Sequence, residues 1–469
     1  MSRMIRSMVA LATLTALPTV AHAGNDDTYF MSGEAALMGG AVVALGQGAG
    51  MVWYNPAGLG SIHRSQYDLT LSGVAYQRRL VPDGVVVVVP GDMGNVELPA
   101  ELDGSRATTI APAAVYARRF GKVTLGAGFF TSRDEVIRLN VSDASPAVGG
   151  STTTTLIDID IAETRYHLGG GLGFELLGGA LKLGASVFVV YDGANDSASI
   201  GASIASPDDE RIDLTAAALN DSDRWALAAH IGAQVHPTEW LQLGLNVRLP
   251  MLLLKDNPDD STLIQAGVQV LDPMTNELTG ATTSIYQPSR PAAGVGQLEP
   301  MRLMLGAGLL LGGVKIGLGF DYSPPLRTLD VRRPGDPDPD YLVDRTSVWN
   351  LRAGTLIPIN DTLALGAGVF TDRSAAPTPT SGLTDYRVDY YGGTLGIRTD
   401  TPVGLREGEH AETLVFRTTV AVRYAYGTGE SRQSRIDFST GELPIPSPGE
   451  LVDVQFHELY IFIGSSLMF

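Results

Sequence analysis

The stretch Trp240-Leu241-Gln242-Leu243-Gly244-Leu245-Asn246-Val247-Arg248-Leu249-Pro250 alternates strictly. Leu241, Leu243, Leu245, Val247 and Leu249 share one face, and Gln242, Gly244, Asn246 and Arg248 share the other. A period of two is that of a strand, because successive side chains point to opposite faces of a sheet. In 180-191, Leu181, Leu183, Ala185, Val187 and Val189 oppose Lys182, Gly184, Ser186 and Phe188. Segment 224-236 sets Trp225, Leu227, Ala229, Ile231, Ala233 and Val235 against Arg224, His230, Gln234 and His236, and segment 412-426 sets Phe416, Val420, Val422 and Tyr424 against Arg417, Thr419 and Arg423.

Working outward, the strand candidates are 66-78, 107-119, 122-133, 161-175, 180-191, 223-236, 239-250, 300-310, 313-322, 346-357, 361-371, 386-398, 412-426 and 456-469. Tight links fall at Gly121, Leu176 to Gly179, Pro237-Thr238, Leu311-Gly312 and Pro358 to Asn360. Long polar links, 79-106, 134-160, 192-222, 251-299, 323-345, 372-385 and 427-455, lie between them, and only 399-411 breaks the rhythm. Short periplasmic turns and long outer loops are the rhythm of a transmembrane barrel. In lipid every unpaired backbone group costs several kcal/mol, so the sheet is expected to close on itself. The expected fold is therefore all-β, a 14-stranded antiparallel transmembrane β-barrel. The terminal aromatic of Tyr460 to Phe469 resembles the signal read by barrel-assembly machinery.

The compartment follows from the first 23 residues. Arg3 and Arg6 precede the apolar run Met8 to Val20, and Ala21-His22-Ala23 supplies a small-x-small cleavage site, so 1-23 is expected to be a signal peptide. Without Arg3 and Arg6 the chain has 31 basic against 51 acidic side chains, a net charge of -20, which argues against nucleic-acid partners. The absence of cysteine excludes disulfides, thiolate metal sites and thiol nucleophiles. No later apolar run approaches the roughly 18 residues of a spanning helix. Slightly positive mean hydropathy with 55 glycines and 7% aromatics suits a wall that faces lipid outside and a crowded lumen inside.

Between Gly24 and Arg64 the alternation stops. Ala35, Ala36, Met38, Ala41, Val42, Val43 and Leu45 stand among many glycines, as expected of short helices or irregular chain packed against something larger. Such a segment cannot fold alone, and a wide barrel leaves interior space for it. Within it, Trp53-Tyr54-Asn55-Pro56-Ala57-Gly58-Leu59 follows Gly39-Gly40-Ala41-Val42-Val43-Ala44. This order resembles the N-terminal hatch of the FadL-like family of outer-membrane transporters for hydrophobic compounds. The resemblance implies a hatch over 24-65 that plugs a wall formed by 66-469. Independently of it, Pro56 pushes Asn55 out of the helical region, Gly58 permits a conformation closed to other residues, and the Asn55 side chain is expected to bond nearby backbone and anchor the turn.

The resemblance further implies passive uptake of long-chain fatty acids or other hydrophobic small molecules across the outer membrane of a Gram-negative bacterium. The implied route runs from an apolar groove among the outer loops to an apolar pocket beside the hatch, then out through the wall. Each methylene taken from water gains about 0.8 kcal/mol, so no cofactor is expected, and no Gly-x-x-x-x-Gly-Lys-Ser/Thr loop is present. Val85, Val86, Val87, Val88 and Val89 are candidates for substrate capture, or alternatively form an extra loop strand. Arg165, Arg224, Arg248 and Arg417 are candidate headgroup contacts, with internal ion pairing as the alternative. The acidic segments Pro207 to Glu210, Asp256 to Asp260 and Gly335 to Asp340 face lipopolysaccharide in this scheme, but none has calcium-loop spacing, and no metal site is expected. The alternative is a non-transporting structural or secretion-associated barrel. An enzyme is not expected, since no Gly-x-Ser-x-Gly elbow is present, and an apolar hatch is unsuited to a water-filled porin.

Overall fold

The computed structural model describes residues 29-91, 94-146, 152-205, 211-256, 261-271, 278-288, 296-329, 341-380, 386-404, 413-437 and 447-469. The expected signal peptide, 24-28, and the acidic segments 207-210, 257-260 and 335-340 lie outside these residues.

Two short helices come first, α1 (Gly33–Leu37) and α2 (Met51–Tyr54), followed by a 3-10 helix (Pro56–Ser61). Six long strands follow: β1 (Gln66–Gly91), β2 (Gly94–Phe120), β3 (Val123–Pro146), β4 (Thr152–Leu176), β5 (Leu181–Ala205) and β6 (Arg211–Val235). Then come β7 (Leu241–Arg248), β8 (Met251–Asp256), β9 (Ser261–Leu271), β10 (Leu278–Pro288), β11 (Gln297–Glu299), β12 (Arg302–Leu311) and β13 (Val314–Ser323). The remainder are β14 (Leu326–Leu329), β15 (Tyr341–Arg345), β16 (Val348–Pro358), β17 (Leu363–Asp372), β18 (Tyr386–Gly404), β19 (Thr413–Asp437) and β20 (Ser447–Met468).

Each strand from β1 to β6 pairs antiparallel with the next. β7 then pairs with β12, β12 with β13, β13 with β16, and the series continues through β17, β18 and β19 to β20. β20 returns to β1 with Gln66 opposite Met468 and Leu69 opposite Ser465, so the sheet is a closed all-β barrel. Gly121, Gly312 and Gly313 take positive φ angles at two of the tight turns, where a side chain would be strained.

The alternation read from sequence sets the burial. Lys182, Gly184, Ser186 and Phe188 are buried, while Leu183, Val187 and Val189 are exposed; in β7, Leu243 and Leu245 are exposed and Gln242 and Asn246 buried. Leu168, Leu318, Val369 and Leu395, each more than half exposed, extend this outer belt around the barrel. An apolar surface that wraps the whole ring is stable against lipid and a liability in water. No helix among the described residues is long and apolar enough to cross a membrane.

Two expectations need correction. Most of the stretches read as long polar links contain strand: β1 and β2 meet within 79-106, β3 and β4 within 134-160, β5 and β6 within 192-222, and β19 and β20 within 427-455, while β8 to β11 occupy much of 251-299. The apolar alternation marks only the lipid-facing height, whereas the backbone ladder continues wherever two chains can pair. The irregular link 399-411 has the same explanation, since β18 and β19 remain paired from Thr399 opposite Thr418 to Gly404 opposite Thr413.

Among the described residues, 29-62 form the most continuously buried stretch, with Ala35, Leu37, Val42, Ala49, Val52, Asn55 and Leu59 nearly inaccessible. α1 packs on β16 to β20, and the 3-10 helix packs on β3 to β6, so the segment spans the ring from side to side.

Candidate functional site

The N-terminal segment owes its shape to local chemistry. Ser32 caps α1, its Oγ accepting from Ala35 N at 3.3 Å. Pro56 opens the 3-10 helix and Asn55 is extended (φ -164°, ψ 101°), as expected for a residue before proline. The Asn55 side chain makes three bonds: Oδ1 accepts from Ala57 N at 3.1 Å, and Nδ2 donates to Val43 O at 2.8 Å and to Ala233 O of β6 at 3.2 Å. One completely buried amide thus ties the turn to itself, to the chain before it and to the wall. Gly58 differs from its expected role, because it is absent from the positive-φ residues. It is needed for close approach: a Cβ there would lie 2.7 Å from Gly46 O and 2.9 Å from Met51 Cγ.

The wall makes room for this segment with glycine. A Cβ on Gly184 would lie 2.5 Å from Ala57 N, one on Gly244 2.6 Å from Val43 C, and one on Gly306 2.7 Å from Ala44 N. Across the ring, a Cβ on Gly354 would sit 2.6 Å from Met38 C. Where the segment leaves the interior, Arg119 donates to Ile62 O at 2.9 Å and to Glu175 Oε2 at 2.6 Å.

Trp53 stands at the centre. It stacks on Phe130 (5.3 Å, 28°) and meets His167, Phe188 and His230 near-perpendicularly at 4.8, 5.8 and 5.8 Å between ring centroids. The Arg248 guanidinium lies 4.8 Å from its ring centroid, within cation–π distance. A small, partly open cleft with an enclosed volume of about 30 Å³ adjoins this group. Ala228, Leu249, Met251 and Pro300 give it an apolar side; Arg133, Arg165, Arg248 and Arg302 give it a cationic one, with His167 and His230 beside Trp53. Carboxylates are set against the arginines: Glu163 bonds Arg133 at 2.7 Å, Asp192 bonds Arg165 at 2.7 Å, Glu299 also meets Arg165, and Asp321 bonds Arg302 at 2.8 Å.

Of the expected headgroup residues, Arg165 and Arg248 line this cleft. Arg224 is not among its lining residues and is in register with Asp192. Arg417 is elsewhere, bonded twice to Asp400 at 2.7 and 2.8 Å, near the pairing of Val415 with Met468. Arg133, Arg302 and Glu299 were not singled out in the sequence, although Arg302 shares the buried face of β12 with Met304. The valine run is the distal part of β1, where Val85 to Val88 pair parallel with Ser434 to Asp437 of β19. Val85, Val86 and Val88 are buried, and none of these three lines the cleft. The pocket expected to be apolar is therefore amphipathic.

The β2–β3 ladder stops beside it. β2 and β3 pair from Phe120 opposite Val123 to Ala113 opposite Phe130; beyond that, among the described residues, β2 pairs with β1 and β3 with β4. Pro112 has no N–H for the ladder, and β3 has a register shift between Thr131 and Arg133, where Ser132 reaches the cleft. Among the described residues no group of three or more His, Asp or Glu is arranged to hold a metal ion.

No protein-family model matches the sequence, and no curated protein does. The fold has clear counterparts among solved structures. A Pseudomonas aeruginosa FadL homologue aligns with a TM-score of 0.58 over 94% of this chain and 99% of that one, at 11% identity. The P. putida toluene transporter TodX aligns with 0.51 over 95% and 99%, at 12% identity. At such identities the likeness is one of fold.

Proposed function

We propose that this chain is an outer-membrane channel for passive uptake of hydrophobic molecules, and that those with an anionic headgroup, long-chain fatty acids above all, fit it best. The wall is read as fourteen strands over 66-469, with 24-65 as its hatch and 1-23 as the export signal. Barrel-assembly machinery would insert it, and outer-membrane lipid and lipopolysaccharide would surround the belt.

The carrying observation is the two-sided cleft on Trp53. Its Ala228, Leu249, Met251 and Pro300 side suits an alkyl chain, and its Arg165 and Arg248 side suits a carboxylate. The fold shared with a FadL homologue and a toluene transporter supports the same class of cargo. A longer chain is held more firmly, by about 0.8 kcal/mol for each buried methylene, until another apolar phase is offered. The parting of β2 from β3 beside Ser132 is the proposed way out, from the cleft into the membrane. The valine run, carried across to β19, is assigned to capture at the mouth.

The test is uptake by cells lacking other routes for hydrophobic acids, since intact lipopolysaccharide blocks unassisted passage. Expression of this chain should permit entry of labelled decanoate but not of a labelled sugar, and replacement of Arg165 and Arg248 by Gln should reduce decanoate entry. Sugar entry alone would instead identify a porin, and entry of neither would leave a structural barrel.

A further inference from the structure

His167 on β4 and His230 on β6 flank Trp53, are 3% and 4% exposed, and both line the cleft. In each, Nδ1 is buried without a hydrogen-bond partner. His230 is hydrogen-bonded to the Trp53 backbone, which occupies its other ring nitrogen. A neutral imidazole has one N–H and one lone pair, so in His230 the buried, unpartnered Nδ1 is an acceptor. A carboxylate is also an acceptor. The two cannot bond unless a proton comes between them.

The nearby charges sharpen this mismatch. His167 faces Arg165 of its own strand, Arg248 and Asp192; His230 faces Arg248, Arg302 and His167. Arg133 and Glu299 complete the charged lining, with Glu163 and Asp321 behind it. Three lining arginines, Arg133, Arg165 and Arg302, already hold carboxylates. The cations beside the two imidazoles are thus partly engaged, and an arriving carboxylate would bring negative charge to the edge of both rings.

Resting on the proposed uptake of anionic amphiphiles, we infer that such a ligand binds together with a proton taken from solvent onto the His167 and His230 pair. The proton turns Nδ1 from acceptor to donor, satisfies a buried polar atom and offsets the added charge. No covalent bond changes. Binding and protonation are linked, so affinity rises as pH falls, by up to about tenfold per pH unit for one full proton. A neutral hydrocarbon in the same cleft recruits no proton.

Titration calorimetry of the detergent-solubilised barrel with decanoate, in two buffers of different ionisation enthalpy, counts the protons. Empty micelles serve as the blank and toluene as the neutral probe. The expected result is net proton uptake with decanoate, none with toluene, and decanoate binding without uptake in the His167→Gln/His230→Gln variant. Decanoate binding to the wild-type barrel without proton uptake would overturn the inference and leave the proposed function standing, and this arm needs no variant to fold. Undiminished uptake in the variant would also overturn it. Absence of decanoate binding would overturn both.

Discussion

Gly232 of β6 and Asn55 of the N-terminal segment occupy one another's space: a Cβ on Gly232 would overlap Asn55 Oδ1, and Asn55 Nδ2 donates to the carbonyl of the next wall residue, Ala233, at 3.2 Å. Gly232→Ala should therefore overpack this joint, costing about 1–3 kcal/mol. The checks are a lower thermal midpoint in detergent and loss of the heat-resistant band on electrophoresis.

Asn55 itself makes a sharper prediction. Asn55→Ala removes the donor to two carbonyls, a loss of about 1–3 kcal/mol. Asn55→Asp keeps the shape but faces those carbonyls with an acceptor, so it should be worse than Ala. Loosening of the N-terminal segment, the proposed hatch, is read as increased ion conductance in planar bilayers and faster protease nicking.

The wall was legible in the sequence because its strands carry a binary code. Lys182, Gly184, Ser186 and Phe188 against Leu183, Val187 and Val189 gave inside and outside without knowledge of any partner strand. The full strand lengths were only partly legible: backbone pairing carries the outer hairpins through largely polar stretches, although the valine run offers an extra loop strand as one reading. Asn55-Pro56 announced its turn through local rules, but the role of Gly58 depends on Gly46 and Met51, which only the folded chain brings near. The cleft was half legible: Arg165 and Arg248 stood out as charges on inward faces, while Arg133 and Arg302 acquire their place from strands that meet only in three dimensions.

A second anchor titrates. Burial pushes the Glu34 carboxyl up, but the Lys315 ammonium at 2.8 Å and the bond from Gln47 N at 3.0 Å outweigh it and hold the carboxyl below its usual range. A folded value below the unfolded one means stabilisation that is complete above the ordinary glutamate range and is lost as pH falls through the lower folded value. Thermal midpoints measured from about pH 6 to about pH 3 should fall more steeply for the wild-type chain than for Glu34→Gln.

The proposed exit can be locked. Continuing the β2–β3 register past Ala113 and Phe130 would place Pro112 opposite Thr131. A disulfide between Cys residues at these two positions should hold the strands together, slow decanoate uptake by cells several-fold and leave binding in detergent unchanged, with reduction restoring uptake. Unchanged uptake with the disulfide verified by mass would place the exit elsewhere.

The most direct measurement uses Trp53 as its own reporter. Trp225, Trp240 and Trp349 are exposed on the outer surface, so Trp225→Phe, Trp240→Phe and Trp349→Phe together leave one indole, at the floor of the cleft. A bromine-bearing fatty acid should quench it saturably, in competition with decanoate and less tightly when Arg165 and Arg248 are replaced by Gln. Quenching that is absent, or that rises linearly without competition, would contradict a ligand site on Trp53.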